Sequence, residues 1–221
     1  MQIKCPWDFI VEEIEFEVSF DKEIDLSPIS KLILCNNITN LALETNKLTL
    51  SLCRMKSSIT PTKWIKHDEV IVKIKTKKYG DYYYPLITFV NNELSLVRGA
   101  YLGFDKYFAD IIFRDGLFQL KSKYGDLLFE YSLKETIKEK TDYPFILYRD
   151  YVFSKYINIK EFVTPVVSNY EQIVLMECNV NFKDINLINN LFPENTVKEI
   201  GKATITKKKY TIEGVRCICK E

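Results

Sequence analysis

The stretch Arg98–Ala109, R-G-A-Y-L-G-F-D-K-Y-F-A, holds two glycines, several aromatics and one lysine, Lys106. Apolar, strand-like runs flank it: Tyr83–Val90 and Leu94–Val97 before, Ile111–Phe113 and Leu117–Leu120 after. Five of the seven glycines fall between Gly80 and Gly125. The chain therefore turns hardest here, because glycine accepts positive φ and close backbone approach. A lysine flanked by Phe104, Tyr107 and Phe108 is placed to lose water around its ammonium. Desolvation favours the neutral, nucleophilic amine.

Outward from this segment, period-2 alternation dominates. Phe9–Phe20 alternates apolar and acidic residues from Ile14 on. That predicts a strand with one wet face bearing Glu12, Glu13, Glu15 and Glu17. Leu41–Leu43, Leu48–Cys53, Val70–Thr76 and Tyr82–Val90 read as further strands, and Asn91-Asn92 turns the chain into an extended Glu93–Arg98. Residues 56–69 read as irregular. Asp115-Gly116 and Tyr124-Gly125-Asp126 are hairpin turns between Ile111–Phe113, Leu117–Lys121 and Leu127–Leu133. Lys134–Lys140 reads as a charged loop, and Phe145–Tyr148 and Val152–Ile159 as extended. Gln172–Phe182 is a long strand, followed by an amphipathic turn over Ile185–Leu191. Val197–Ile205 and Lys209–Cys219 close the fold around a turn at Lys207–Lys209. Ser27 and Pro28 start a short helix over Pro28–Cys35. The sum is one mostly antiparallel β domain over residues 1–221, with two or three short helices, as a barrel or a bent sandwich.

Composition narrows the function. With 47% hydrophobic residues the chain can fill a core. A net charge near +1 gives no support to nucleic-acid binding. No apolar run approaches the length of a membrane span, and the N-terminus lacks the apolar core of a signal peptide. A cytoplasmic protein without membrane or nucleic-acid partners is expected. Cys5, Cys35, Cys53 and Cys178 are isolated, and Cys217-Ile218-Cys219 has no second close pair, so buried thiols are expected rather than a zinc site. His67 is the single histidine, which excludes a multi-histidine metal centre. No phosphate-binding loop, dinucleotide fingerprint or serine-hydrolase elbow is present. Asp68 and Glu69, beside His67, are candidates for a general acid or base.

The run Y-G-D-Y-Y-Y-P-L-I-T-F-V-N-N-E-L-S-L-V-R-G-A-Y-L-G-F-D-K-Y-F-A-D-I-I-F, Tyr79–Phe113, resembles the core of acetoacetate decarboxylase and its relatives. In that family a G-D-Y turn leads to an apolar strand, an acid, and a G-R-E-x-x-G-[YF]-P-K segment. The resemblance extends in the same order over about residues 70–215, through D-Y-P-F-I-L-Y and P-E-N-T-V-K-E-I-G-K-A-T-I. It implies a bent antiparallel sheet closing into a cone-like β barrel, a homo-oligomer, and cofactor-free decarboxylation of a small β-keto acid. Lys106 matches the lysine that forms the Schiff base, with Gly103 and Phe104 just before it. Asp68 or Glu69 matches the proton-handling acid, and Arg98 would hold the substrate carboxylate. An aldolase or dehydratase using the same imine is a chemical variant of this reading. The family's second lysine, which activates the first by repulsion, is Tyr107 here, and its proline is Asp105. Activation would then rest on burial, or on a nearby Arg98 or Arg114. A second reading keeps the barrel without turnover, its cavity lined by Phe104, Tyr107, Phe108 and Tyr82–Tyr84 around an apolar carbonyl ligand. A third is a plain interaction protein with a solvated lysine.

Overall fold

The computed structural model describes residues 6–32, 46–76, 81–136, 144–145, 147–154 and 157–220. The expected strand Leu41–Leu43 and the end of the expected Pro28–Cys35 helix lie outside these residues. What is described of that helix is a single 3-10 segment, Ser27–Leu32.

Among the described residues twelve strands form one sheet: β1 (Trp7–Phe20), β2 (Lys47–Thr60), β3 (Lys63–Thr76), β4 (Tyr82–Val90), β5 (Lys106–Phe108), β6 (Asp110–Arg114), β7 (Leu117–Ser122), β8 (Gly125–Thr136), β9 (Leu147–Ser154), β10 (Ile157–Asp184), β11 (Val197–Ile200) and β12 (Ala203–Lys220). Their order is β5-β4-β3-β2-β1-β12-β10-β8-β7-β6, with β9 beside β10 and β11 beside β1. Every pairing between strands is antiparallel except β4–β5. The sheet curls until β6 returns to β3, giving the nearly closed barrel expected from the family resemblance. No helix of the described residues is long and apolar enough to cross a membrane.

Alternation along each strand sorts the side chains onto two faces. Ile14, Phe16 and Val18 of β1, Leu48, Leu50 and Leu52 of β2, and Val70, Val72 and Ile74 of β3 join one large core. Phe129 and Phe182 pack against Phe16 at ring distances of 6.0 and 5.2 Å, closing that core from the far strands. The opposite face carries a smaller cluster built from Trp7, Phe9, Val11, Cys53, Met55 and Ile212. The site lies on this second face.

Four sequence expectations are corrected. Residues 56–60 and 63–69 are not irregular; they complete the long β2–β3 hairpin, turning at Pro61-Thr62. The tri-lysine run is not a turn but the interior of β12. The acidic side of β1 is not a wet face, since Glu13 and Glu15 are buried. Finally, Glu93–Arg98 is helical, within α1 (Glu93–Leu102). Asn92 caps α1, its Oδ1 accepting from the backbone N–H groups of Leu94 at 3.0 Å and Ser95 at 3.2 Å. Gly103 ends it at φ 102°. That is a left-handed conformation, which glycine takes without a Cβ penalty. A second short helix, α2 (Asn186–Leu191), buries Leu187, Ile188 and Leu191.

Candidate active site

Parallel strands need a crossover, and α1 supplies it between β4 and β5. The left-handed turn at Gly103 sends the chain back so that Lys106 lies opposite Thr88. Ser95, Arg98, Gly99 and Leu102 recur at helical spacing, so α1 presents all four to one cavity. The cavity measures about 430 Å³, and its floor is the second face of β1, β2 and β3.

Lys106 lies in this cavity, its side chain only 8% exposed. The stem runs along the backbone of Gly99, where a Cβ would collide with Lys106 Cε and Cδ and lie 2.8 Å from Cγ. Only glycine leaves room there. The ammonium is bonded to Glu69 Oε1 and lies 3.0 Å from Ser95 Oγ. Ser95 Oγ also donates to the same carboxylate oxygen at 2.5 Å, and His67 Nε2 lies 3.4 Å from it. Burial by itself would raise the Glu69 carboxyl, but the Lys106 ammonium and His67 outweigh it and hold the group well below the usual carboxylate range. Glu69 is therefore an anion on which three donors converge. The other nitrogen of His67, Nδ1, is buried and makes no hydrogen bond among the described residues.

Arg98 is buried, donating from Nη1 to Ser57 Oγ at 2.9 Å and from Nη2 to the Ser58 carbonyl at 2.6 Å, with its guanidinium 5.1 Å from the Trp7 ring. The Phe104 ring lies 5.6 Å from Lys106 Nζ and meets Phe145 edge-on at 5.4 Å.

Two further ion pairs reach the cavity, one through Lys73 and one through Lys208 and Glu13. Lys73 Nζ lies 2.5 Å from Glu15 Oε2, which also accepts from Ser51 Oγ at 3.0 Å. Burial would lower the Lys73 ammonium, but Glu15 and Glu13 outweigh it and raise the group. Lys208 Nζ lies 2.7 Å from Glu13 Oε2.

Of the residues singled out from sequence, the structure thus gathers Lys106, Glu69, Arg98 and Phe104 around one cavity. It separates the others. Asp68 points to the reverse face, where Asn91 Nδ2 donates to its carboxylate at 3.1 Å. Burial raises the Asp68 carboxyl, against the Asn91 bond and Arg54. Tyr107 packs on Phe89 and Tyr124 on the side of the large core, and burial pushes its hydroxyl up to about 12. Phe108 is 58% exposed and outside the cavity. Strand alternation explains the first two, which are next in sequence to Glu69 and Lys106 and face away from them; Phe108 shares the face of Lys106 but lies outside the cavity at the end of β5. Tyr84 belongs to the large core, and Tyr83 covers Lys73 with its ring 4.1 Å from Nζ. Arg114 ends β6 on the surface. Sequence reading missed Ser95, Gly99, Lys73, Lys208, Glu13 and Glu15. Helical spacing from the Asn92 cap would have found the first two.

Among the described residues no group of His, Cys, Asp and Glu could hold a metal ion. Cys53 and Cys178 are buried thiols, and burial pushes both up. Cys217 is exposed, and the side chain of Cys219 lies outside the described set.

No family model and no curated protein matches the chain by sequence. Solved structures do match. An acetoacetate decarboxylase-like enzyme from Sphingomonas wittichii RW1 aligns over 100% of this chain and 95% of its own, with TM-score 0.72 and 11% identity. The enduracididine biosynthesis enzyme MppR, complexed with the condensation product of pyruvate and imidazole 4-carboxaldehyde, aligns over 98% and 90%, with TM-score 0.70 and 13% identity. Acetoacetate decarboxylase from Legionella pneumophila subsp. pneumophila str. Philadelphia 1 aligns over 100% and 90%, with TM-score 0.67 and 14% identity. Curled sheet, crossover helix and strand order together make this the fold of the acetoacetate decarboxylase-like enzymes.

Proposed function

We propose that the protein is a cofactor-free lyase that forms a Schiff base between Lys106 and a small β-keto acid. One observation carries this reading: the Lys106 amine, held by Glu69 and Ser95 against the backbone of Gly99, reaches into a mostly apolar cavity on a fold whose solved members include acetoacetate decarboxylase. At rest Lys106 is ion-paired, so attack requires its proton to leave. Glu69, already in contact, takes it as the substrate displaces water. The amine nitrogen bonds to the ketone carbon, the carbonyl π pair moves to oxygen, and the proton held by Glu69 passes to that oxygen to complete the carbinolamine. Loss of water gives a protonated imine. The bond to the carboxylate carbon then breaks, its electron pair flowing toward the imine nitrogen as CO2 leaves. Glu69, again ionised, picks up a proton from solvent and delivers it to the enamine carbon, and water hydrolyses the product imine to release the Lys106 amine. Arg98, whose guanidinium has five N–H donors, holds the substrate carboxylate.

The same imine supports aldol and dehydration chemistry. MppR, of the same fold, is known with pyruvate and with its aldehyde condensation product. Ion pairing of Lys106 favours a second reading, in which the cavity holds a carbonyl ligand without turnover. Association into a homo-oligomer is part of the proposal.

Oxygen exchange separates the two readings. A 2-oxo acid labelled with 18O at the ketone loses its label to solvent each time an imine forms and hydrolyses. Exchange that disappears in Lys106→Met supports catalysis. Saturable binding with exchange no faster than in buffer supports the second reading.

A further inference from the structure

The cavity is far larger than a four-carbon acid requires. Its volume of about 430 Å³ is that of a site for a drug-sized ligand. Strand register fixes where its polar groups stand. Glu13 pairs with Cys53 across β1–β2, and Cys53 pairs with Glu69 across β2–β3, so the three form one row across the cavity floor. Adjacent strands lie about 4.8 Å apart, which sets the two carboxylate-bearing residues roughly 10 Å apart. The Lys106–Glu69 and Lys208–Glu13 pairs therefore stand apart on the cavity wall. The register places Cys53 between Glu13 and Glu69, and Trp7, Phe9, Met55 and Ile71 add apolar lining to the same cavity.

The distal pair is expensive to maintain. Side chains of Lys208 and Glu13 are 12% and 6% exposed. A buried ion pair is often matched or bettered in stability by apolar residues of similar size. Lys207 and Lys209, the neighbours of Lys208 on β12, point outward. The inward lysine is thus set by strand alternation. Its pairing with Glu13 leaves no net charge for a charged ligand group to neutralise. An uncharged hydroxyl suits it instead: the ammonium can donate to the hydroxyl oxygen, and the carboxylate can accept the hydroxyl proton.

We propose that Lys208 and Glu13 form a second polar subsite, recognising a hydroxyl at the far end of an aryl-bearing keto acid whose ketone meets Lys106. This rests on the lysine chemistry above for the near end of the ligand. The distances agree. A ketone carbon and a para hydroxyl separated by one methylene and a benzene ring lie about 7 Å apart at ordinary bond lengths. One imine bond and one hydrogen bond bring the total to roughly the backbone spacing of Glu13 and Glu69.

The test uses ligands that lack a ketone, so it does not depend on imine formation. Trp7 lines the cavity and reports binding by fluorescence; Trp64, 42% exposed on the β2–β3 hairpin, is replaced by Phe. The full chain is titrated with 3-phenylpropanoate and 3-(4-hydroxyphenyl)propanoate. The hydroxylated acid is expected to bind about tenfold tighter, the discrimination of one well-made hydrogen bond. Glu13→Met with Lys208→Met should abolish that preference while leaving 3-phenylpropanoate binding intact. Glu13→Gln, which keeps the shape, should reduce it severalfold and covers the case that the double variant does not fold. Equal affinities in the parent, no binding of either acid, or a preference that survives both variants would overturn the proposal. Failed oxygen exchange with an intact preference would instead remove the lysine chemistry and leave the subsite.

Discussion

Replacing Gly99 with Ala perturbs the site without touching a polar group. A Cβ at position 99 would overlap Lys106 Cε and Cδ and lie 2.8 Å from Cγ. Carbon–carbon contacts settle near ~3.5–4.0 Å, so the lysine stem must withdraw by about 1 Å. Nζ then leaves its position between Glu69 and Ser95, and a misplacement of that size costs on the order of 10²-fold in rate. Stability should hardly change. Overpacking costs about 1–3 kcal/mol, but the displaced atoms belong to a flexible chain, and Ala within a helix recovers roughly 0.5–1 kcal/mol relative to Gly. Single-turnover oxygen exchange and a thermal melt, run on the same sample, measure both quantities. The expected result is exchange lowered by about two orders of magnitude with a melting temperature within a few degrees of the parent. Parental exchange in Gly99→Ala would refute the reasoning, because it would mean that the reactive amine does not lie along the α1 backbone.

Other outcomes follow from the same geometry. Glu69→Leu leaves the Lys106 ammonium buried without its carboxylate, and chemical denaturation should register a loss of about 3–5 kcal/mol. Within the tri-lysine run, Lys208→Ala should destabilise by a comparable amount, because its partner Glu13 stays buried. Lys207→Ala and Lys209→Ala, in exposed pairs, should each cost under about 1 kcal/mol. Asn92→Ala removes the cap of α1 and should cost about 1 kcal/mol by the same assay. Stability should also be flat around neutrality and fall on both sides. Glu69 is held below its unfolded value, so its contribution is complete above about pH 4.5 and is lost on acidification. Lys73 is held above its unfolded value, so its contribution is complete below about pH 10 and is lost as pH rises further. Glu15→Gln should weaken the alkaline limb and leave the acid limb of Glu69 in place.

Local pattern made the strands legible, because alternation is written into each segment. Trp7–Phe20, Tyr82–Val90 and the two glycine hairpins needed no knowledge of distant residues. The helix α1 was misread since Leu94 and Leu96 alternate like a strand; Asn92, Glu93 and Gly103 were the contrary signals. What no single segment shows is which face of a strand meets which other strand. Glu13 and Glu15 look like a wet edge until Lys208 and Lys73, both distant in sequence, arrive opposite them. Lys106 is accessible through the family motif, and Glu69 only as one of two acids, with Asp68, beside His67. Tyr107 and Asp68, each next in sequence to a site residue, face away by alternation, and Phe108 lies on the face of Lys106 but where β5 ends in the open.

Reduction of the imine tests the central claim most directly. The protein is mixed with a 2-oxo acid, treated with borohydride, digested and mapped by mass spectrometry. The expected product is one secondary amine, on the peptide containing Lys106, absent from Lys106→Met. No adduct, or an adduct carried by Lys73 or Lys208 instead, would contradict the assignment of Lys106 as the nucleophile.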